Sequence, residues 1–193
     1  MAKKPEIPKG EINRVSAALE ELGKQSDRGA AIIGAAIVED VLTECLQLRL
    51  ILNNTLKERL FSYEKNGPLS NFSAKIDVAY SVGLVTASVR NNLHLIRRIR
   101  NRFAHKVEAK EFSDADIAAS CATLDLSFQP REKSPRRRFM SACLDVITIF
   151  GITRHVAGIR LKHFSYDPEI QKLLANFMKT LHQHLEESEK QKP

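Results

Sequence analysis

Apolar residues recur at helical spacing along nearly the whole chain, and no stretch shows period-two alternation bounded by hairpin turns. The pattern predicts a short amphipathic helix over Glu11–Leu22, with Ile12, Val15, Leu19 and Leu22 on one side, and a long central helix over Arg28–Leu50. The first half of that helix, Ala30–Val38, is apolar all round and is expected to be buried. Thr55–Phe61 reads as a shorter helix and Asn66-Gly67-Pro68 as a break. Helical period resumes over Phe72–Val82, stops at Gly83, and restarts strongly over Ser88–Phe103. A further helix is expected over Asp114–Leu124, with Ser113 and Asp116 as a capping box. Another should run from Pro135 to about Leu161, with Ser134 as N-cap, and a last one should open at Asp167-Pro168-Glu169. The fold class is therefore all-α, a helical bundle with a long antiparallel helix pair at its heart. Its expected organisation is a polar tail over 1–10, a helical domain over 11–128, a helical extension over 129–186 packing on the same core, and a polar tail over 187–193.

Composition narrows the chemistry. The 193 residues are 43% hydrophobic and 27% charged, enough for a core that needs no disulfide or metal. The longest apolar run is too short to span a bilayer, and no apolar region follows Lys3 and Lys4, so neither membrane insertion nor a signal peptide is expected. Cys45, Cys121 and Cys143 are odd in number, far apart and set in apolar stretches, which suits reduced, buried thiols in the cytoplasm. No cysteine or histidine pair has zinc spacing, and there is no glycine-rich phosphate loop, serine-nucleophile elbow or catalytic carboxylate pair. Neither metal nor cofactor is expected. His94, His155, His163, His182 and His184 read as surface or boundary residues.

Charge restores a sharper question. The formal net charge is +7, and it concentrates in two places: Arg97, Arg98, Arg100 and Arg102, and then Arg131, Lys133, Arg136, Arg137 and Arg138. Both are candidate nucleic-acid contacts. At about 100° per residue, Val89, Leu93, Ile96, Ile99 and Phe103 share a face, and Arg100 projects between Leu93 and Ile96 inside it. A guanidinium there needs a carboxylate or phosphate. Asp40 and Glu44, one turn apart on the flank of Ile33 and Ile37, are the candidate carboxylates. His105 adds a group titrating near neutrality. Arg100 and His105 diverge by roughly 140° on a regular helix, so they converge only if the helix ends near Ala104 or if a two-fold partner supplies the second set. A histidine to move protons and an arginine to neutralise a pentavalent phosphate suffice for metal-independent RNA cleavage. A helix-turn-helix is the other candidate: Ala79, Gly83 and Val89 stand at its offsets, which would aim Arg90, Asn91 and Asn92 at base edges, although Asn92 occupies a position that should be apolar.

The ending Arg100-Asn101-Arg102-Phe103-Ala104-His105 on a helix of an all-α domain resembles the HEPN superfamily motif. The wider stretch Gly67-Pro68-Leu69-Ser70-Asn71-Phe72-Ser73-Ala74-Lys75-Ile76-Asp77, Ala79-Tyr80, Gly83-Leu84 and Ile96–His105 resembles the mannitol repressor family of bacterial regulators, over about Ala30 to Leu124. That resemblance implies a dimeric or higher-order helical regulator, and a motif position that is catalytic in many HEPN domains, here Arg100 and His105 with Asn101 in support. The expected function is a cytoplasmic regulator of mannitol-repressor type, acting as a homodimer through protein or RNA contacts. The alternatives are a metal-independent endoribonuclease and, third, a DNA-binding repressor.

Overall fold

A computed structural model describes residues 9–104, 111–125 and 132–154. The chain divides into a unit over Met1–Leu161 and a second over Lys162–Pro193. The second unit lies wholly outside the described residues, as do the helix expected from Pro168 and the tail from 187.

Seven helices and no strand make up the described residues: α1 (Lys9–Lys24), α2 (Asp27–Arg49), α3 (Asn54–Phe61), α4 (Phe72–Ser81), α5 (Ala87–Ala104), α6 (Ala115–Ala122) and α7 (Pro135–Thr153). The all-α reading holds. Polar side chains punctuate the starts. Ser26, Asn53 and Asn71 cap α2, α3 and α4 by accepting from the backbone N–H three residues on. α7 opens with Ser134 as N-cap and Pro135 in its first turn. The expected capping box at α6 does not form. Asp114 takes the N-cap position, while the Ser113 hydroxyl donates to Glu111 and the Asp114 carboxylate accepts from Glu111 N–H.

α2 is the axle of the bundle. α5 runs antiparallel to it: Arg49 at the end of α2 donates to the carbonyl of Val82 just before α5, and the Asp27 carboxylate at the start of α2 accepts from Phe112 N–H, beyond the end of α5. α7 runs parallel to α2, since Arg136 reaches Asp27 at one end and the Cys45 thiol faces the Phe150 carbonyl at the other. Their close approach depends on Gly34, where an added Cβ would come within 3.2 Å of the Phe139 ring and 3.3 Å of Cys143 Sγ. The α4–α5 turn uses Gly83 at φ +67°, a left-handed conformation that costs glycine little.

Between these helices lie Val38, Leu42, Leu46, Ile76, Leu93, Ile96, Ile99, Phe103, Phe139 and Phe150, all buried. Each contributes roughly 1.5–3 kcal/mol of transfer free energy. A chain of rings, Phe103 to Phe112 at 4.9 Å and Phe112 to Phe139 at 5.3 Å, joins α5, the segment before α6, and α7. One expectation fails here. α2 is buried on Ala30, Ala31, Gly34, Ala35 and Val38, yet Ile32 and Ala36 on its other side are exposed.

Candidate functional site

The C-terminal half of α5 carries the arginines singled out by the sequence. α4 has ten residues against eighteen in α5, and it runs beside the first half only. There, Arg90 donates to Asp77 at 2.6 Å and lies over the Tyr80 ring, and His94 Nε2 is 3.3 Å from the same carboxylate. Hydrogen bonding from Arg90, helped by His94, holds the Asp77 carboxyl below its usual range. Further along the same sector come Arg97, Asn101 and Ala104, with Arg100 beside them; all four are half-buried, and Arg98 is exposed.

Arg100 does not sit inside the apolar face. The buried residues of α5 are Asn92, Leu93, Ile96, Ile99 and Phe103. In the last turns the buried sector narrows to Ile96, Ile99 and Phe103, and Arg100 falls at its edge. The expected carboxylates are elsewhere. Glu44 is held by Arg14, at 2.8 and 2.9 Å, and by Arg154. The Arg14 hydrogen bond, with added attraction from both guanidiniums, pulls the Glu44 carboxyl below its usual value of 4.5. Asp40 is exposed on the side of α2 that faces away from the core. Among the described residues Arg97, Arg98 and Arg100 have no hydrogen bond or ion pair, and the Nε of Arg97 is buried without a partner. Arg102 differs. It donates to the carbonyl of Asp116 and, at 3.0 Å, to the Ser120 hydroxyl, pinning α6 to α5. His105, the histidine of the motif, lies outside the described residues.

Two arginines of the second basic cluster, Arg136 and Arg138, are consumed by the fold. Arg136 donates to the Asp27 carboxylate and to the carbonyls of Gln25 and Leu22, closing the α1–α2 turn onto α7. Arg138 donates to the carbonyls of Cys121, Ala122, Leu124 and Glu132 around the end of α6 and the start of α7, sharing the Cys121 carbonyl with Leu124 N–H. Arg137 is outward, with 76% of its side chain exposed and Glu132 at 3.9 Å; Lys133 is exposed as well, and Arg131 lies outside the described residues. Arg136 and Arg138 thus serve the fold, and the donors that a nucleic-acid contact would use are engaged within it.

The helix-turn-helix candidate loses two of its three base readers. Arg90 is engaged with Asp77. Asn92 is buried, its amide donating to the Asp125 carbonyl at 2.6 Å and its oxygen accepting from Asp125 N–H at 3.0 Å. Its polar side chain at a core position ties down the chain after α6. The misfit at Asn92 was the legible signal of this role, whereas nothing in the sequence marked Asp77 as the partner of Arg90. Among the described residues no three metal-binding side chains gather, and no helix is long and apolar enough to cross a membrane. A separate cavity of about 380 Å³ lies beside Glu44 and is lined by Gln47, Leu48, Asn54, Lys57 and Arg154.

No protein-family model matches the chain, and no curated protein matches its sequence. Among solved structures the fold is similar to that of a chain in the X-ray structure of the MtlR–HPr complex from Escherichia coli. The TM-score is 0.56 and the identity 18%, and the match covers 74% of this chain and 99% of that one. At that identity the likeness is one of fold.

Proposed function

We propose that the protein is a cytoplasmic regulator of mannitol-repressor type that works as a homodimer and binds an acidic protein surface through the C-terminal half of α5. The observation that carries this reading is the state of Arg97, Arg98 and Arg100. The other half-buried arginines of the described residues, such as Arg14, Arg90, Arg136 and Arg138, are bonded to carboxylates or carbonyls, but Arg97 and Arg100 are not, and Arg98 stands exposed beside them. A guanidinium kept half-buried without a counter-charge is poised for a partner that supplies one. A protein is favoured as that partner because the fold is shared with a chain from a protein–protein complex, and because few aromatic side chains stand near the cluster to stack on bases.

Calorimetric titration with HPr from Escherichia coli, and in parallel with single-stranded RNA, tests the reading. Binding of HPr that the triple variant R97E/R98E/R100E removes is the expected result. Binding of RNA alone, with a salt slope that the variant flattens, transfers the surface to nucleic acid. Binding of either partner that the variant leaves unchanged sinks the assignment to α5.

A second reading is favoured by one specific feature. Arg100 and Asn101 stand on the last turns of α5, immediately ahead of His105, in the order of the HEPN motif. On this reading Arg100 neutralises the phosphate and His105 moves the proton, without a metal. RNA cleavage that survives EDTA and disappears in His105→Ala supports it. Cleavage indifferent to His105→Ala removes it.

A further inference from the structure

The exposed side of α2 is the largest departure from the sequence pattern. Arg28, Ile32, Ala36 and Asp40 recur at every fourth position, and all four are exposed; Ile32 keeps 38% of its surface in solvent. Residues at that interval form one continuous ridge along a helix. The half-buried Ile33 and Ile37 widen its apolar centre. The ridge ends in a cation at one end and an anion at the other, and neither Arg28 nor Asp40 has a hydrogen bond or ion pair among the described residues.

This arrangement is complementary to itself. Reversing the direction of α2 exchanges its charged ends, about 18 Å apart along the helix, and leaves the apolar centre in place. We infer that the ridge is the contact between two copies of this chain, packed about a two-fold axis at the level of Gly34. Arg28 then lies opposite Asp40 of the partner subunit, and Ile32 opposite Ala36 of the partner subunit, a large side chain over a small one. Each contact occurs twice, as an isologous interface requires. A partner of one uniform charge would satisfy one end and repel the other, which is why a second copy is the occupant. The inference deepens the homodimer reading and is independent of the arginine surface on α5. One helix face buries less than the roughly 800 Å² per partner of a standard interface, so the dimer should dissociate reversibly in the micromolar range.

Sedimentation equilibrium on the full chain tests this, with far-UV circular dichroism to show that each variant is folded; the substituted side chains are exposed and leave the core intact. R28E and D40R each place like charges opposite one another at both ends, and each should weaken the dimer about 100-fold. The double variant R28E/D40R restores opposite charges and should return to within about tenfold of the wild type. Ile32→Glu should leave a monomer. A wild-type dimer indifferent to R28E and Ile32→Glu overturns the inference while leaving dimerisation standing on another surface. A double variant no stronger than the singles also overturns it. A wild type that stays monomeric up to concentrations on the order of 1 mM, far above a micromolar Kd, removes both this interface and the homodimer, and leaves the α5 surface to its own titration.

Discussion

The two arginine clusters, on α5 and on α7, are alike in composition and opposite in state. Arg136 and Arg138 on α7 spend their donors on the Asp27 carboxylate and on six backbone carbonyls, from Leu22 to Glu132. Arg97, Arg98 and Arg100 on α5 spend none on the described residues. The difference follows from what surrounds each helix. α7 begins where the α1–α2 turn and the end of α6 both present open carbonyls, so a basic first turn is absorbed as mortar. α5 outruns α4, its flanking helix, and its last turns meet no acidic neighbour on that flank among the described residues. A run of arginines is therefore evidence of a ligand only after its hydrogen bonds have been counted.

Substitutions can break this contrast. The largest expected effect is at Arg138: Arg138→Ala takes the side-chain donor from four carbonyls, of which Cys121 keeps its bond from Leu124 N–H, and should lower stability by roughly 2–4 kcal/mol in urea titration. Arg138→Lys should recover little, because an ammonium cannot span the same acceptors. Arg136→Ala should cost about 1–3 kcal/mol, less because Asp27 keeps its bond from Phe112 N–H. Arg100→Ala should behave in the opposite way, changing stability by less than about 1 kcal/mol while removing partner binding. A loss at Arg100 as large as that at Arg138 would show that the α5 cluster too is structural.

Acid titration sharpens the same contrast from the carboxylate side. The Glu44 carboxyl is depressed chiefly by its hydrogen bond from Arg14, with Arg154 assisting, so this pairing stabilises the fold above the ordinary value of 4.5 and is lost as pH falls through the lower folded value. Glu44→Gln should flatten the loss of stability below that pH, whereas Arg100→Ala should leave the acid limb unchanged. The smallest effect is at Arg137, exposed over 76% of its side chain, where Arg137→Ala should stay within about 0.5 kcal/mol of the wild type.

Much of the frame was legible because it is written in local physics. The starts of α2, α3, α4 and α7, each within one residue of the expected position, the N-cap at Ser134, the stop at Gly83 and the apolar face of α5 all follow from periodicity and capping, which depend on neighbours a few residues apart. The buried state of Cys45, Cys121 and Cys143 was also readable, and burial raises the Cys121 thiol to about 12 and pushes Cys143 up as well. The failures are of another kind. The capping box at Ser113 is absent because α6 starts one residue later, with Asp114 at the N-cap position, and the Ser113 hydroxyl donates to the Glu111 carboxylate instead.

What the sequence determined by itself was the helices, their apolar faces, and the presence of more arginine than a simple fold needs. Tertiary structure alone decided which arginines were needed. Glu44 went to Arg14 and Arg154, thirty and more than a hundred residues away, and Asp40 was turned outward beside Ile32 and Ala36. An ion pair forms with whichever opposite charge the packing brings within a few ångströms, and periodicity along one helix carries no information about the charges on another.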